Sequence, residues 1–255
     1  MKRWICILLT SVMALCLLTS TGCSDKDNNN DTPTPLKFGI GVKYYSDEPT
    51  NASGNINGKG QLTTTAAAVL LDSSSRIVKC SIDTAETLAE YTSSGKYILS
   101  EASKTKYELG NDYGLKKASG INKEWYEQID ALCELVKGKT LDEIRALVAD
   151  SGKGNSDVIN AGCTIVVSDF IYALEEAIKS ASAADATADS AISLKISTVQ
   201  SGKDAAAGSD GYNELKATIT ANALDKDGKT VATRSANAEA KYTFNDKGEV
   251  KKTTN

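Results

Sequence analysis

The chain is expected to fold as an α+β protein in which two antiparallel strand meanders, related by duplication, flank a helical insert. Three observations carry that expectation. Leu62 to Tyr97 align without gaps on Leu215 to Val250, so that Leu62, Thr65, Ala68, Leu71, Asp72, Val78, Ala85, Glu86 and Gly95 meet Leu215, Thr218, Ala221, Leu224, Asp225, Val231, Ala238, Glu239 and Gly248. Within each copy, runs rich in β-branched and apolar residues alternate with turn formers, as adjacent antiparallel strands require. Between the copies, apolar residues recur at helical spacing and are bounded by capping residues. Strands on both sides of a helical block imply helices packed on antiparallel sheet.

In chain order, Lys2 and Arg3 precede the apolar run Trp4 to Leu18, and Thr19-Ser20-Thr21-Gly22 leads into Cys23. A basic start, an apolar stretch of about 7–15 residues and a small-residue cleavage site form a secretory signal peptide. The run falls short of the roughly 20 residues that a membrane-spanning helix needs. Residues 1–22 therefore read as a signal peptide and Cys23 as a lipidated cysteine, with Ser20 standing where a lipobox ordinarily has Leu. A plain secreted protein cut near Gly22 is the competing reading. Residues 23–35 are polar, with the stretch SDKDNNNDTPTP after the cysteine, and read as a flexible tether. Membrane lipid held through Cys23 is the first expected partner, which places the fold on the extracytoplasmic face of a cell membrane.

The 29 basic residues lose Lys2 and Arg3 with the signal peptide, leaving 27 against 33 acidic ones and a net charge of −6. Nucleic acid is thereby excluded as an expected partner, because phosphate binding needs clustered Lys and Arg. Histidine is absent altogether. That removes Ser-His-Asp and Cys-His nucleophilic schemes and His-ligated zinc or haem. Beyond Cys23 the cysteines are Cys80, Cys133 and Cys163, an odd and widely spaced set that does not make a disulfide framework.

The first copy carries the strand Arg76 to Ile82, whose alternation sets Ile77, Lys79 and Ser81 on one face and Val78, Cys80 and Ile82 on a core face. In the second copy Ala217 to Leu224 is a strand, Asp225 to Gly228 a turn and Thr230 to Arg234 the returning strand. In the insert, Asn122 is expected to cap a helix with Trp125, Ile129, Leu132 and Val136 on one side, ended by Gly138. Thr140 and Glu143 form a capping box for a second helix. A third begins near Ser168 and gathers Phe170, Leu174, Ala177 and Ile178. Ser180 to Ser190 either extends that helix or links the copies. Residues 36–181 are thus a first domain, strands plus helices, and residues 182–255 the second strand copy.

Against this background, Lys59-Gly60-Gln61 through Asp72, Ile77 to Ile82 and the pair Glu86-Thr87 resemble the FMN-binding domain of exported electron-transfer proteins. In that family the Glu-Thr pair lies in a loop after the strand. The stretch Asp157-Val158-Ile159-Asn160-Ala161-Gly162-Cys163-Thr164 resembles the family's flavinylation motif, where an Asp precedes Ser-Gly-Ala-Thr and the threonine carries FMN through a phosphoester. Ala161 and Cys163 replace the motif's Ser and Ala, and Asp157 lies one residue farther from Thr164. The block from Glu108 to Lys117, with Glu124-Trp125-Tyr126, is similar to lipoproteins of anaerobic Gram-positive bacteria. The resemblance implies FMN as cofactor, Thr164, Gly162, Asp157, Glu86 and Thr87 as cofactor-binding residues, and a flavin transferase and a redox partner. Such a protein is an electron carrier rather than a catalyst.

The residue types suit that chemistry. A threonine hydroxyl needs an external enzyme to become a phosphoester, a neighbouring glycine admits a bulky phosphate, and a helix start favours an anion. Read from packing alone, Thr164 is a β-branched residue beside Ile165 and Val166, and Trp125 with Tyr126 are core aromatics rather than a ring platform. Glu108 and Asp112 are too isolated for an acid/base pair. A non-enzymatic surface lipoprotein that keeps the fold without flavin is the alternative. Replacing Cys23 by Ala is expected to move the protein from the membrane to the soluble fraction; retention on membranes after carbonate washing overturns the anchor.

Overall fold

The computed structural model describes residues 35–254, so the signal peptide, Cys23 and nearly all of the tether lie outside the described residues. Antiparallel strands in two sheets, with a few helices between them in sequence, give the α+β character expected. Strands β1 (Lys37–Ser46), β2 (Gly58–Leu71), β3 (Ile77–Tyr91) and β4 (Tyr97–Ile98) form a meander, and β5 (Ser182–Ala183) joins the far side of β1, for the order β4-β3-β2-β1-β5. Strands β6 (Ala191–Lys203), β7 (Gly211–Leu224), β8 (Thr230–Phe244) and β9 (Val250–Thr254) make the second sheet in the order β6-β7-β8-β9. Helices α1 (Lys106–Leu109), α2 (Trp125–Val136), α3 (Leu141–Arg145), α4 (Ser156–Ala161) and α5 (Ser168–Ser180) lie between β4 and β5.

The molecule is layered: helices, first sheet, second sheet. Along β2, Ala67, Val69 and Leu71 pack with Trp125, Ile129, Leu132 and Leu174 of the helices. The alternate residues Ala66, Ala68 and Leu70 pack against Ala217, Ala221 and Ala223 of β7. Both faces of the first sheet are therefore buried along this stretch, which is why Ala66 to Leu71 of β2 reads as an unbroken small and apolar run. In β7 inward residues alternate with half-buried or exposed polar ones, so the second sheet keeps one face toward water.

Both long hairpins turn through the same chemistry. The Asp72 carboxylate accepts the Arg76 amide at 2.9 Å, the Ser75 amide donates to the Asp72 carbonyl at 3.1 Å, and Ser75 takes the left-handed conformation. Asp225, Gly228 and Lys229 repeat that set, with the corresponding bonds at 2.9 and 3.0 Å. Each is a type I turn followed by a left-handed residue, a loop that carries a bulge with it. The bulge falls between Leu70 and Leu71 in one ladder and between Ala223 and Leu224 in the other.

That bulge corrects the strict alternation expected of Ile77 to Ile82. Leu71 pairs with Ile77 while Leu70 pairs with Lys79, leaving Val78 as the extra residue. Ile77 joins Cys80 and Ile82 against the helices, whereas Val78 turns to the second sheet. A second correction concerns the start of α2. Asn122 is not the cap; it sits at φ 55, and Glu124 caps the helix through a capping box with Glu127. The Thr140–Glu143 box of α3 and the apolar face of α5 stand as expected. Ser180 to Ser190 links rather than extends the helix, and its β5, just past residue 181, hydrogen-bonds to β1.

The rings of Tyr91 and Phe244 stack between the sheets with centroids 4.4 Å apart. Nearby, the Ala52 amide donates to the Gly248 carbonyl at 2.8 Å and the Ala205 amide to the Gly95 carbonyl at 2.7 Å. The Tyr97 amide bonds the Asp204 carboxylate and the Val250 amide bonds the Asn51 side chain. On the other face α5 lies at backbone distance from β1. A Cβ on Gly39 would fall 2.0 Å from the Ala177 carbonyl oxygen, and one on Gly41 2.1 Å from that of Ala173. Ser180 locks the contact, its hydroxyl donating to the Ile40 carbonyl at 2.6 Å and accepting the Ile40 amide at 3.0 Å. Gly41→Ala is accordingly expected to lower stability by about 1–3 kcal/mol despite the better strand propensity of alanine, read as a lower urea midpoint with an unchanged slope.

Candidate functional site

The segment holding Thr164 is built by the end of one short helix and the start of a long one. Asn155 begins α4, its side-chain oxygen accepting the amides of Asp157 and Val158. Gly162 ends it at φ 97, a left-handed position that favours glycine. Cys163 then turns into the core while Thr164 is left exposed, four residues before α5 begins at Ser168. The loop is held from beneath by Gln128 of α2, which is fully buried. Its side-chain oxygen accepts the Thr164 amide at 2.8 Å and the Thr164 hydroxyl at 3.3 Å. Its amide nitrogen donates to the Ser119 hydroxyl and the Lys123 carbonyl. The Lys123 ammonium lies over the turn, 3.5 Å from the Gly162 carbonyl oxygen.

These positions bring together only part of the expected set. Gly162 and Thr164 share one turn. Asp157 is exposed in the first turn of α4, toward the opposite end of a six-residue helix, roughly 7.5 Å from Gly162 along its axis. There its charge complements the positive end of the helix. Glu86 and Thr87 are not in a loop at all: they lie within β3 and, as neighbours in a strand, point to opposite faces. Glu86 pairs with Lys106 at 2.6 Å on the helical side, and Lys106 in turn faces the Tyr113 ring. Thr87 is buried in a groove with Ser100, Thr198 and Gln200. Trp125 is core, edge-on to Phe170.

The residues around Thr164 suit a phosphoester better than they suit a flat ring. Thr164 is exposed although its hydroxyl donates to the buried Gln128, and Lys123 fills the space beside Gly162, where a Cβ would fall 2.2 Å from its ammonium, supplying a nearby positive charge. The cleft beside β3, called the principal cleft below, lies elsewhere and includes neither Thr164 nor Lys123. It measures about 440 Å³ and runs between β3 and α2, with Cys80, Tyr107, Asp130, Cys133, Glu134 and Lys137 on its walls. It opens because β4 pairs only with Glu90 and Tyr91, so the edge of β3 from Lys79 to Ile82 has no strand beside it. Gln128, Lys123 and this cleft are absent from the sequence-based set. Gln128 carried a usable signal, being a polar residue set within the stripe Trp125, Ile129, Leu132.

Among proteins of known function, one named chlorophenol reductase, from Desulfitobacterium hafniense, is 32% identical over 97 residues, covering 33% of this chain and 30% of that protein. The chain thus spans about a third of the length of the curated relative it matches. No family model and no solved structure matches.

Tyr107 enters the cleft because α1 is pinned to β3 by Asp83. That carboxylate accepts the amides of Tyr107 at 3.1 Å and Thr84 at 2.7 Å. Burial pushes its pKa above the ordinary carboxylate value, and the bonds from Thr105, Tyr107 and Thr84 offset this only in part. The Tyr107 hydroxyl donates to Asp130 at 3.1 Å, and burial together with that carboxylate pushes it up to about 12. A carboxyl whose folded pKa is raised contributes stability below its unfolded pKa and loses it as pH rises through the folded value. Asp83→Asn keeps an oxygen for both amides and has no charge to bury. Its melting temperature relative to the parent is expected to climb between about pH 4 and pH 7; a flat difference across that range overturns the assignment.

Proposed function

We propose that the chain is a lipid-anchored protein of the extracytoplasmic membrane face, carrying an FMN-binding-like fold with Thr164 as the flavin-phosphate acceptor and serving electron transfer. The observation that carries this reading is the exposed residue Thr164, its hydroxyl bonded to Gln128 beside the left-handed Gly162 and the Lys123 ammonium, just ahead of a thirteen-residue helix. Lys123 would balance the phosphate charge, and the Thr164 hydroxyl would leave its bond to Gln128 on becoming the ester, while the Thr164 amide keeps its own bond to that side chain. Bound flavin would supply the redox chemistry itself. The partial match to a protein named a reductase agrees with a redox setting.

The same reading treats the two meanders as copies of one unit. In its support, β2 and β7 each have 14 residues and β3 and β8 each have 15. Their ladders start at matching partners, Gly58 with Tyr91 and Gly211 with Phe244. The bonds from Ala52 to Gly248 and from Ala205 to Gly95 exchange corresponding residues, as a two-fold relation between copies requires.

A second reading has one observation in its favour. The principal cleft does not reach Thr164, so a ring attached there has no bed in it. A surface lipoprotein that retains the fold for binding or structure, without flavin, fits that geometry. Producing the full chain together with a flavin transferase separates the two. The first reading expects an intact mass raised by one FMN less water, yellow colour that survives denaturation, and loss of both in Thr164→Val. An unmodified, colourless product sinks it. If free FMN at 100 times a measured dissociation constant adds the expected stabilisation of about 2.7 kcal/mol, non-covalent binding replaces the phosphoester; no thermal shift leaves the flavin-free reading.

A further inference from the structure

Two of the three cysteines among the described residues meet at the wall of the principal cleft. Cys80 comes from the open edge of β3 and Cys133 from the face of α2 packed on it. The Cys80 thiol points at the Cys133 backbone, its Sγ 3.8 Å from the carbonyl oxygen, and the neighbouring Cys133 side chain is the foremost cause that holds the Cys80 thiol in its protonated form. Cys163 is fully buried and takes no part in the cleft. All three are free thiols.

We propose that Cys80 and Cys133 form a redox-modification site, a dithiol that closes to a disulfide across the cleft and ties β3 to α2. The oxidant is a low-molecular-weight disulfide. The Cys80 thiolate attacks one of its sulfurs, forming a mixed disulfide and expelling one thiol. The Cys133 thiolate then attacks the Cys80 sulfur and expels the second. The protein gives up two electrons, and the small disulfide is reduced to two thiols. The cleft admits the reagent to Cys80, whereas the core position of Cys163 does not. The bond would join residues 53 positions apart, enclosing Asp83, α1 and the loop that leads to α2. Such a long loop is where cross-linking restricts the unfolded chain most.

The charges facing the sulfurs set the rate. Lys137, just past the end of α2, favours the Cys80 thiolate while Glu134 on α2 opposes it, and the adjacent Cys133 together with burial holds Cys80 well above the usual thiol range. Asp130, also on α2, Tyr107 on α1 and Lys79 on β3 complete the polar wall, with Lys79 committed to the Ser190 carbonyl. Exchange is therefore slow at neutral pH and speeds up as pH rises.

The proposal rests on the extracytoplasmic placement above only for its biological oxidant, so its chemistry is tested separately. Full-length protein is incubated with oxidised glutathione and mapped by non-reducing peptide mass spectrometry. The expected result is a linked Cys80–Cys133 peptide, equal loss of both thiols, a higher melting temperature, reversal by dithiothreitol, and the same link in Cys163→Ser. Cys133→Ser should stop at a glutathione adduct on Cys80. Persistence of both thiols, adducts on both without a link, or a Cys133–Cys163 link overturns the site. If the link forms in vitro while Cys23→Ala stays on washed membranes, the site stands and the lipid anchor falls.

Discussion

Residues Ala66 to Leu71 have to serve two cores at once. Their even members face the second sheet and their odd members face the helices, and every one of them is essentially inaccessible to water. Neither layer is independent of this strip. Without the second sheet, Ala66, Ala68 and Leu70 would lie bare, and without the helices Ala67, Val69 and Leu71 would. Small side chains make the double burial possible. Alanines on both sheets let the sandwich close tightly, and Gly39 and Gly41 let α5 rest on β1 at backbone distance. The hydrophobic gain between the sheets comes largely from many small contacts, with large rings such as Phe38, and Tyr91, Tyr242 and Phe244 at the end away from the Asp72 and Asp225 turns, as exceptions.

The two regions of chemical interest both depend on that scaffold, in different ways. Thr164 is tied through its amide and hydroxyl to a buried side chain on α2, so its position is as firm as the packing of that helix on β3. The cleft exists because the first sheet stops short: β4 covers only the far end of β3, and α1 with α2 close over the rest incompletely. Asp83 is the polar joint between the two parts, accepting amide hydrogens from the strand and from α1. Its burial has a cost, and the benefit is a fixed seat for Tyr107 above Asp130.

Much of this was readable in the chain itself. Helix limits announce themselves through local rules, so the box at Thr140 and Glu143 and the apolar stripe of α5 could be found from spacing alone. The hairpins were equally local, since Asp72 and Asp225 satisfy the backbone amides four residues later. What escaped notice was set by contacts distant in sequence. An alanine-rich strand does not say which of its faces is covered, and the extra residue at Val78 shifts the alternation with no sign in composition. The family resemblance placed Glu86 and Thr87 in a loop; here a salt bridge to Lys106 and a groove beneath Ser100 let them stay within a strand. The approach of Cys80 to Cys133 needs the docking of a helix on a sheet edge before it can be seen at all.

The seat of α5 on Gly39 and Gly41 also has a bearing on the order of assembly. The β2–β3 and β7–β8 hairpins close through short local loops, and such hairpins can form within about 1–10 μs. The lock between Ile40 and Ser180 joins residues 140 apart and must wait for most of the chain. Until it forms, the odd-numbered side of β2 has no cover. A newly made chain therefore passes through a stage with a flat, sticky strand on show, and the speed with which α5 arrives decides how much of it is lost to clumping.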